Sequence, residues 1–190
     1  MARWQPNPSQ RLALAALDLF AEQSYENTTV IEIAERAGLT KSTFFRHFPD
    51  KREVLFGDGT MARLLVDGIA AAPVAATPLE AVAYALDAVG KQAFTSARRE
   101  FVTRRRAVIA ANPELREREA LKGLGLTASM TEALKQRGVS EVTAAVAAEL
   151  GALSLKIAYE RWSNPADGSD DFSQTARRAL GEVQTAFAQC

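Results

Sequence analysis

Two apolar runs of helical spacing, each opened by a threonine and separated by one glycine, constrain this chain more than any other feature. Thr29 precedes Val30, Ile33, Ala34 and Ala37, and its hydroxyl is placed to accept from the backbone three residues on while Glu32 returns the bond. Gly38 follows, the residue best able to take the left-handed conformation that ends a helix. Thr40 then caps another helix, which carries Phe44 and Phe48 one turn apart and stops at Pro49-Asp50. Two short helices joined by so tight a turn have the geometry of a helix-turn-helix, whose second helix enters the DNA major groove. Ala34 suits the point where two such helices must cross closely.

Similar punctuation runs through the rest of the chain. Asn7, with Pro8 and Gln10, opens a first helix that buries Leu12, Ala15, Ala16 and Leu19. Asp50 caps a fourth helix in which Glu53 completes a box, and Gly57 and Gly59 bend it before Met61, Leu64, Leu65 and Ile69 resume the pattern. After a linker at 70–76, Thr77-Pro78 opens a fifth helix, and a sixth carries Phe101, Val108 and Ile109 beside a basic row. Asn112-Pro113 starts a seventh, closed by Gly138; Ser140 opens an eighth, ended by Asn164-Pro165; a ninth runs from about Asp170 to Ala188. Sustained strand alternation is absent. The expected fold is all-α, about nine helices, with a three-helix helix-turn-helix domain at 1–52 and a helical bundle at 53–190.

Lys plus Arg and Asp plus Glu both number 23, so any attraction to nucleic acid must be local. Between Thr40 and Arg52 the cations Lys41, Arg46, Lys51 and Arg52 face one carboxylate, Asp50. Thr40, Thr43 and His47 share a helix face opposite Phe44 and Phe48, a set of short donors and an imidazole suited to phosphates and base edges. His47 is the only histidine and Cys190 the only cysteine, which argues against an intramolecular disulfide, a multi-cysteine zinc site or a di-iron bundle. With no GxSxG, P-loop or Rossmann glycine pattern, the expectation is no enzyme, no cofactor and no metal. The start lacks a signal peptide's apolar stretch, and no apolar run approaches about 18 residues, so a cytoplasmic protein without a membrane partner is expected. Arg3 and Trp4 precede the first helix, as a frayed end or as an arm reaching an adjacent groove.

The stretch LFAEQSYENTTVIEIAERAGLTKSTFFRHFPDK resembles the TetR/AcrR family of transcriptional regulators, from Gln10 to about Leu55. The resemblance implies a recognition helix opening with Thr40, Lys41, Ser42 and Thr43, phosphate contacts from Thr29, His47 and Lys51, and base contacts from Lys41 and Arg46. Two positions depart from the family pattern. Ser24 stands where a glycine is usual, which leaves that turn strained or differently capped, and Phe45 stands for a tyrosine, which deletes a phosphate-reaching hydroxyl but leaves the ring to pack on the sugar-phosphate surface.

Beyond Leu55 the pattern of the helices carries the argument. Val146, Leu150, Leu153 and Ile157 on the eighth helix, and Phe172, Ala176, Ala179 and Val183 on the ninth, follow bundle-type spacing and are the expected dimer interface. The eighth helix is apolar or small nearly all round, so it is expected to be covered on more than one side, by helices of its own chain or by a second subunit. The resemblance favours a homodimer whose two-fold axis matches a palindromic operator. Met61, Leu65, Leu86, Phe94, Phe101, Met130, Tyr159 and Trp162 are large or adaptable side chains that fit either plain core or a ligand pocket. Arg98, Arg99, Arg104, Arg105 and Arg106 read as a solvated face paired with Glu114, Glu117 and Glu119, or as the source of one inward cation for an anionic ligand. Together these imply a repressor that a small-molecule effector releases from operator DNA, with the fourth helix pivoting at Gly57 and Gly59. The alternative is a helical protein-interaction module without specific DNA binding.

Overall fold

The computed structural model describes residues 7–57, 59–164 and 171–189, and every regular element in them is helical. These are α1 (Pro8–Gln23), α2 (Val30–Arg36), α3 (Lys41–His47), α4 (Thr60–Ala71), α5 (Pro78–Gln92), α6 (Arg99–Ala111), α7 (Pro113–Gln136), α8 (Glu141–Trp162) and α9 (Phe172–Ala188). Arg3, Trp4, Pro165, Asp170 and Cys190 lie outside the described residues. The chain divides into two compact units, residues 1–59 with 104–120, and residues 60–103 with 121–190. The first unit therefore extends past residue 52 and includes the end of α6 and the start of α7.

In the first unit the expected caps are in place. Asn7 Oδ1 accepts from Gln10 N at 2.8 Å. Thr29 N donates to Glu32 Oε2 at 2.8 Å while Thr29 Oγ1 accepts from Glu32 N at 3.2 Å. Leu12, Ala16, Leu17, Ile33, Ala34, Phe44 and Phe48 form the buried interior. Gly38 takes φ +64°, and Arg11 donates to the carbonyls of Ala37 and Gly38, the carbonyls left open where α2 ends. Ser24, where the sequence pattern wants glycine, sits at φ 73°, ψ 160°, a region essentially reserved for glycine.

The single bent fourth helix is not what forms. Asp50 Oδ1 accepts from Arg52 N at 2.8 Å and Glu53 N at 3.2 Å, and so caps only a 3-10 turn, Arg52–Leu55. Glu53 does not fold back to complete a box but turns inward onto Arg118. Gly57 and Gly59 follow at φ +71° and +83°, outside any right-handed helix, and α4 begins afresh at Thr60.

Arginines tie the α6–α7 corner into this unit. Arg104 pairs with Asp18 at 2.5 Å, and Arg105 donates to Leu55 O at 2.6 Å while pairing with Glu119 at 3.2 Å. Arg118 meets Glu53, whose side chain is only 7% exposed. Of the expected pairings of the basic row, Arg105 with Glu119 is present; Glu114 lies instead beside Arg52, at 3.8 Å.

In the second unit α4, α5, α8 and α9 pack with the later part of α7. Close approach depends on missing side chains: a Cβ on Gly68 would lie 2.5 Å from Ala85 Cα, and one on Gly151 would lie 2.7 Å from Val82 Cγ1. The small residues of α8, Ala144, Ala147, Ala148, Gly151 and Ala158, face inward, while Val146 and Leu153 remain exposed. On α9 the outcome reverses the expectation of an interface seam. Phe172, Ala176, Ala179 and Val183 are buried within their own chain, because the aromatic ring and the small residues fill the interior beside α5 and α8. By length and composition α8 could cross a membrane, with a mean hydropathy of 1.4, but its small-residue face is an ordinary core face.

The Ser24 conformation generates a prediction. Ser24→Gly removes a backbone strain of about 1–3 kcal/mol and loses only an exposed bond from Asn27. After the added freedom of glycine in the unfolded chain, a gain of about 1 kcal/mol remains. Tm should rise by about 2–4 °C in a thermal melt followed by circular dichroism; an unchanged or lower Tm would contradict the strain.

Candidate nucleic-acid interface

The site is built on α3. Its N-terminus is closed by Thr40, whose Oγ1 accepts from Thr43 N at 3.1 Å and lies 3.0 Å from the Thr43 hydroxyl. Phe44 is fully buried and Phe48 nearly so, with ring centroids 5.6 Å apart, and these two rings hold the helix against α1 and α2. Burying one side of a seven-residue helix fixes what the other side presents. Lys41, Ser42, Phe45 and Arg46 are exposed, with the Lys41 ammonium 6.0 Å from the Phe45 ring centroid. Neither Lys41 nor Arg46 takes part in an ion pair among the described residues, so this surface is positively charged and carries one large exposed ring, Phe45 at 47%.

The remaining predicted residues divide. Thr29 is exposed at the start of α2, with its hydroxyl occupied by Glu32. The same bonds, from the Thr29 hydroxyl, the Thr29 amide and Gln23, hold the Glu32 carboxyl below its ordinary range. His47 is half-buried at the end of α3, and its Nε2 is buried without a hydrogen-bond partner. Thr40 is exposed at the start of α3, whereas Thr43 and His47 are half-buried at the edge of the exposed face.

Lys51 is placed differently from the expectation of a phosphate contact. Its ammonium donates to Tyr25 O at 2.8 Å and Thr28 O at 3.0 Å, and lies 4.1 Å from the Tyr25 ring centroid. It ties the end of the head back to the loop between α1 and α2, and burial pulls its pKa down, against the nearby carboxylates of Glu114 and Glu26. Burial, with Glu114 beside it, pushes the Tyr25 phenol up. Sequence spacing could not reveal this role, because the two carbonyls lie more than twenty residues away along the chain and carbonyls carry no residue identity.

Residues 13–57 match the model of the bacterial regulatory proteins of the tetR family. Over this segment, less than half of the chain, it is similar to the TetR family. The helix-turn-helix regulator TcmR of Streptomyces glaucescens is 39% identical over 80 residues, 42% of this chain, and the match spans about a third of that relative, 35%. Solved structures share the fold over nearly the whole chain at low identity. Salmonella enterica GusR aligns at TM-score 0.54 with 20% identity, covering 94% of this chain and 95% of that one. The fatty acid degradation regulator FadR of Bacillus halodurans aligns at 0.54 with 18% identity, covering 95% and 96%. A TetR-family protein of Mesorhizobium loti gives 0.52 and 20%, covering 95% of each.

In the second unit the predicted ligand-pocket residues also separate. Leu65, Leu86 and Met130 are fully buried core, and Met61, Phe101 and Tyr159 pack partly buried against it. Phe94 and Trp162 do line a cleft of about 360 Å³, together with Phe172, Lys91 and Arg99. Neither Lys91 nor Asp171, which also lines it, was singled out by sequence; the signal was absent because the cleft joins helix ends distant along the chain.

Stability separates the two lysines of the head. Lys51→Met removes two charge-assisted bonds and a cation–π contact and should cost about 1–3 kcal/mol in urea unfolding. Lys41→Ala, at an exposed position without an ion pair, should stay within about 0.5 kcal/mol of the parent. Equal costs would refute the division.

Proposed function

We propose that the chain is a sequence-specific DNA-binding transcriptional regulator, a cytoplasmic homodimer that represses from a palindromic operator and is released by a small-molecule effector. The observation that carries the DNA-binding part is the exposed face of α3, where Lys41, Ser42, Phe45 and Arg46 stand outward and neither cation has an ion pair among the described residues. A helix of this kind lays its side chains along base edges while neighbouring groups hold phosphates. Lys41 and Arg46 are the base-reading candidates; Thr29, Thr40, Ser42, Thr43 and His47 line the phosphate side, with the Phe45 ring on the sugar-phosphate surface. Lys51 supports the head from within.

For the dimer, Val146 and Leu153 support a partner on α8, since they remain exposed on a helix whose inner face is already packed. Leu150 and Ile157, half-buried on the same helix, extend that strip; the α9 residues of the expected seam do not belong to it. For the switch, an effector acts by binding better to the conformer whose two reading heads are wrongly spaced. The chain crosses between its two units after residues 59, 103 and 120. The first crossing follows two glycines in left-handed backbone, whereas α6 crosses without a break, with Arg99 in the second unit and the anchors Arg104 and Arg105 in the first. We place the route of the signal along α6.

Fluorescence anisotropy against DNA from upstream of its own gene, with a scrambled control and a salt series, tests the reading. The upstream fragment should bind more tightly, and Lys41→Ala with Arg46→Ala should abolish that preference at unchanged Tm, each contact being worth about 1–3 kcal/mol. No salt-dependent binding by the folded protein would favour a protein-interaction module. Leu153→Glu with Val146→Glu should convert the dimer to monomer in sedimentation velocity; a parent that already sediments as a monomer would remove the dimer.

A further inference from the structure

We infer that the cleft at the joined ends of α5, α8 and α9 is a binding site for a small organic monocarboxylate. The inference rests on the reading of the chain as an effector-responsive regulator and names the chemical class of the effector. The cleft lies wholly in the second unit, is lined by Gly90, Lys91, Phe94, Thr95, Ser96, Arg99, Trp162, Asp171 and Phe172, and at about 360 Å³ is of a size that small ligands occupy.

Its apolar part is aromatic and rigid. Phe94 and Phe172 stack with centroids 4.1 Å apart and planes at 15°, and Trp162 meets both edge-on at 5.7 Å. Each ring is fixed by the other two and nearly buried, with Phe94 8%, Trp162 4% and Phe172 0% exposed, so they form a rigid floor beneath the cleft that needs no ordering on binding. Gly90 cannot carry a side chain, because a Cβ there would collide with Ser173 Oγ, itself buried without a hydrogen-bond partner.

The polar part is a cation held ready. Arg99 Nε donates to Trp162 O at 3.0 Å and the guanidinium lies 5.0 Å from the Trp162 ring centroid. One edge of the guanidinium is thereby occupied and its plane fixed, while its terminal amines make no hydrogen bond among the described residues. A half-buried guanidinium with free donors and no carboxylate partner is what a bidentate oxyanion contact completes. Lys91, exposed, adds a second cation; among the described residues it has no ion pair and the hydroxyls of Thr95 and Ser96 are unengaged. Asp171 opposes them; one of its oxygens already accepts from Ser173 N at 3.2 Å. Among the described lining residues, two cations against one carboxylate favour a singly charged anion and disfavour a dianionic phosphate.

Isothermal titration of the full chain with 2-naphthoate and its neutral isostere 2-naphthamide tests this. The acid should bind at least about tenfold more tightly, and the preference should shrink as salt rises. Arg99→Gln keeps a donor for Trp162 O, and Lys91→Gln lies at the surface; each should cancel most of the preference while leaving the amide's affinity unchanged. Equal binding of acid and amide, a preference that survives both variants, or no heat with either probe would overturn the site. Anisotropy on the same samples separates the two readings. A protein that holds DNA yet ignores the acid loses the site alone. Acid binding that depends on Arg99 but leaves DNA affinity unchanged supports the site and removes the effector role.

Discussion

Helices of seven residues do not persist by themselves in water, where isolated helices shorter than about 12–15 residues are marginal. The reading head rests on two of them, so everything it presents depends on what its interior buries and on who satisfies the backbone groups at its turns. Phe44, Phe48 and Ile33 supply the burial, each worth about 1.5–3 kcal/mol. Two cations supply the donors: Arg11 reaches the carbonyls that end α2, and Lys51 those that follow α1. This sorts the basic residues of the head by accessible carbonyl, not by sequence position. Cations near an open carbonyl turn inward, and those left over on α3 form the positive surface.

The same logic of unsatisfied groups extends into the rest of the molecule. Arg104, Arg105 and Arg118 hold the α6–α7 corner to the first unit through Asp18, Leu55 O and the buried Glu53. A buried carboxylate left without its guanidinium would be costly, so these contacts fix the corner more firmly than exposed ion pairs do. In the second unit the limiting quantity is space. Gly68 and Gly151 allow close approach, which puts the small residues of α8 inside and leaves Val142, Val146 and Leu153 outside.

Much of this was legible beforehand. Capping threonines, Pro at first helical positions and terminal glycines located nearly every described helix, because capping is a local transaction between residues three or four apart. The strain at Ser24 was legible for the same reason. Three features were not. Hydrophobic spacing resumes in phase beyond Gly57 and Gly59, so the pattern alone describes one bent fourth helix. The apolar repeat of α9 was read as an interface, since a repeat states that a face is buried but not by whom. The resemblance implies a phosphate contact for Lys51, and the carbonyls that hold it instead are contributed by another segment.

The sequence by itself determined that the chain is helical, where its helices start and stop, and that α2 and α3 meet at a turn only Gly38 takes without strain, because caps, periodicity and left-handed backbone are all written within one or two turns of chain. Only the tertiary structure decided which arginines brace the head, which lysine is withdrawn from its surface, and that Arg99 stands with free donors beside three interlocked rings. Those outcomes depend on groups brought together from distant segments, and the energy of such a meeting resides in the distance between them, which no local pattern records.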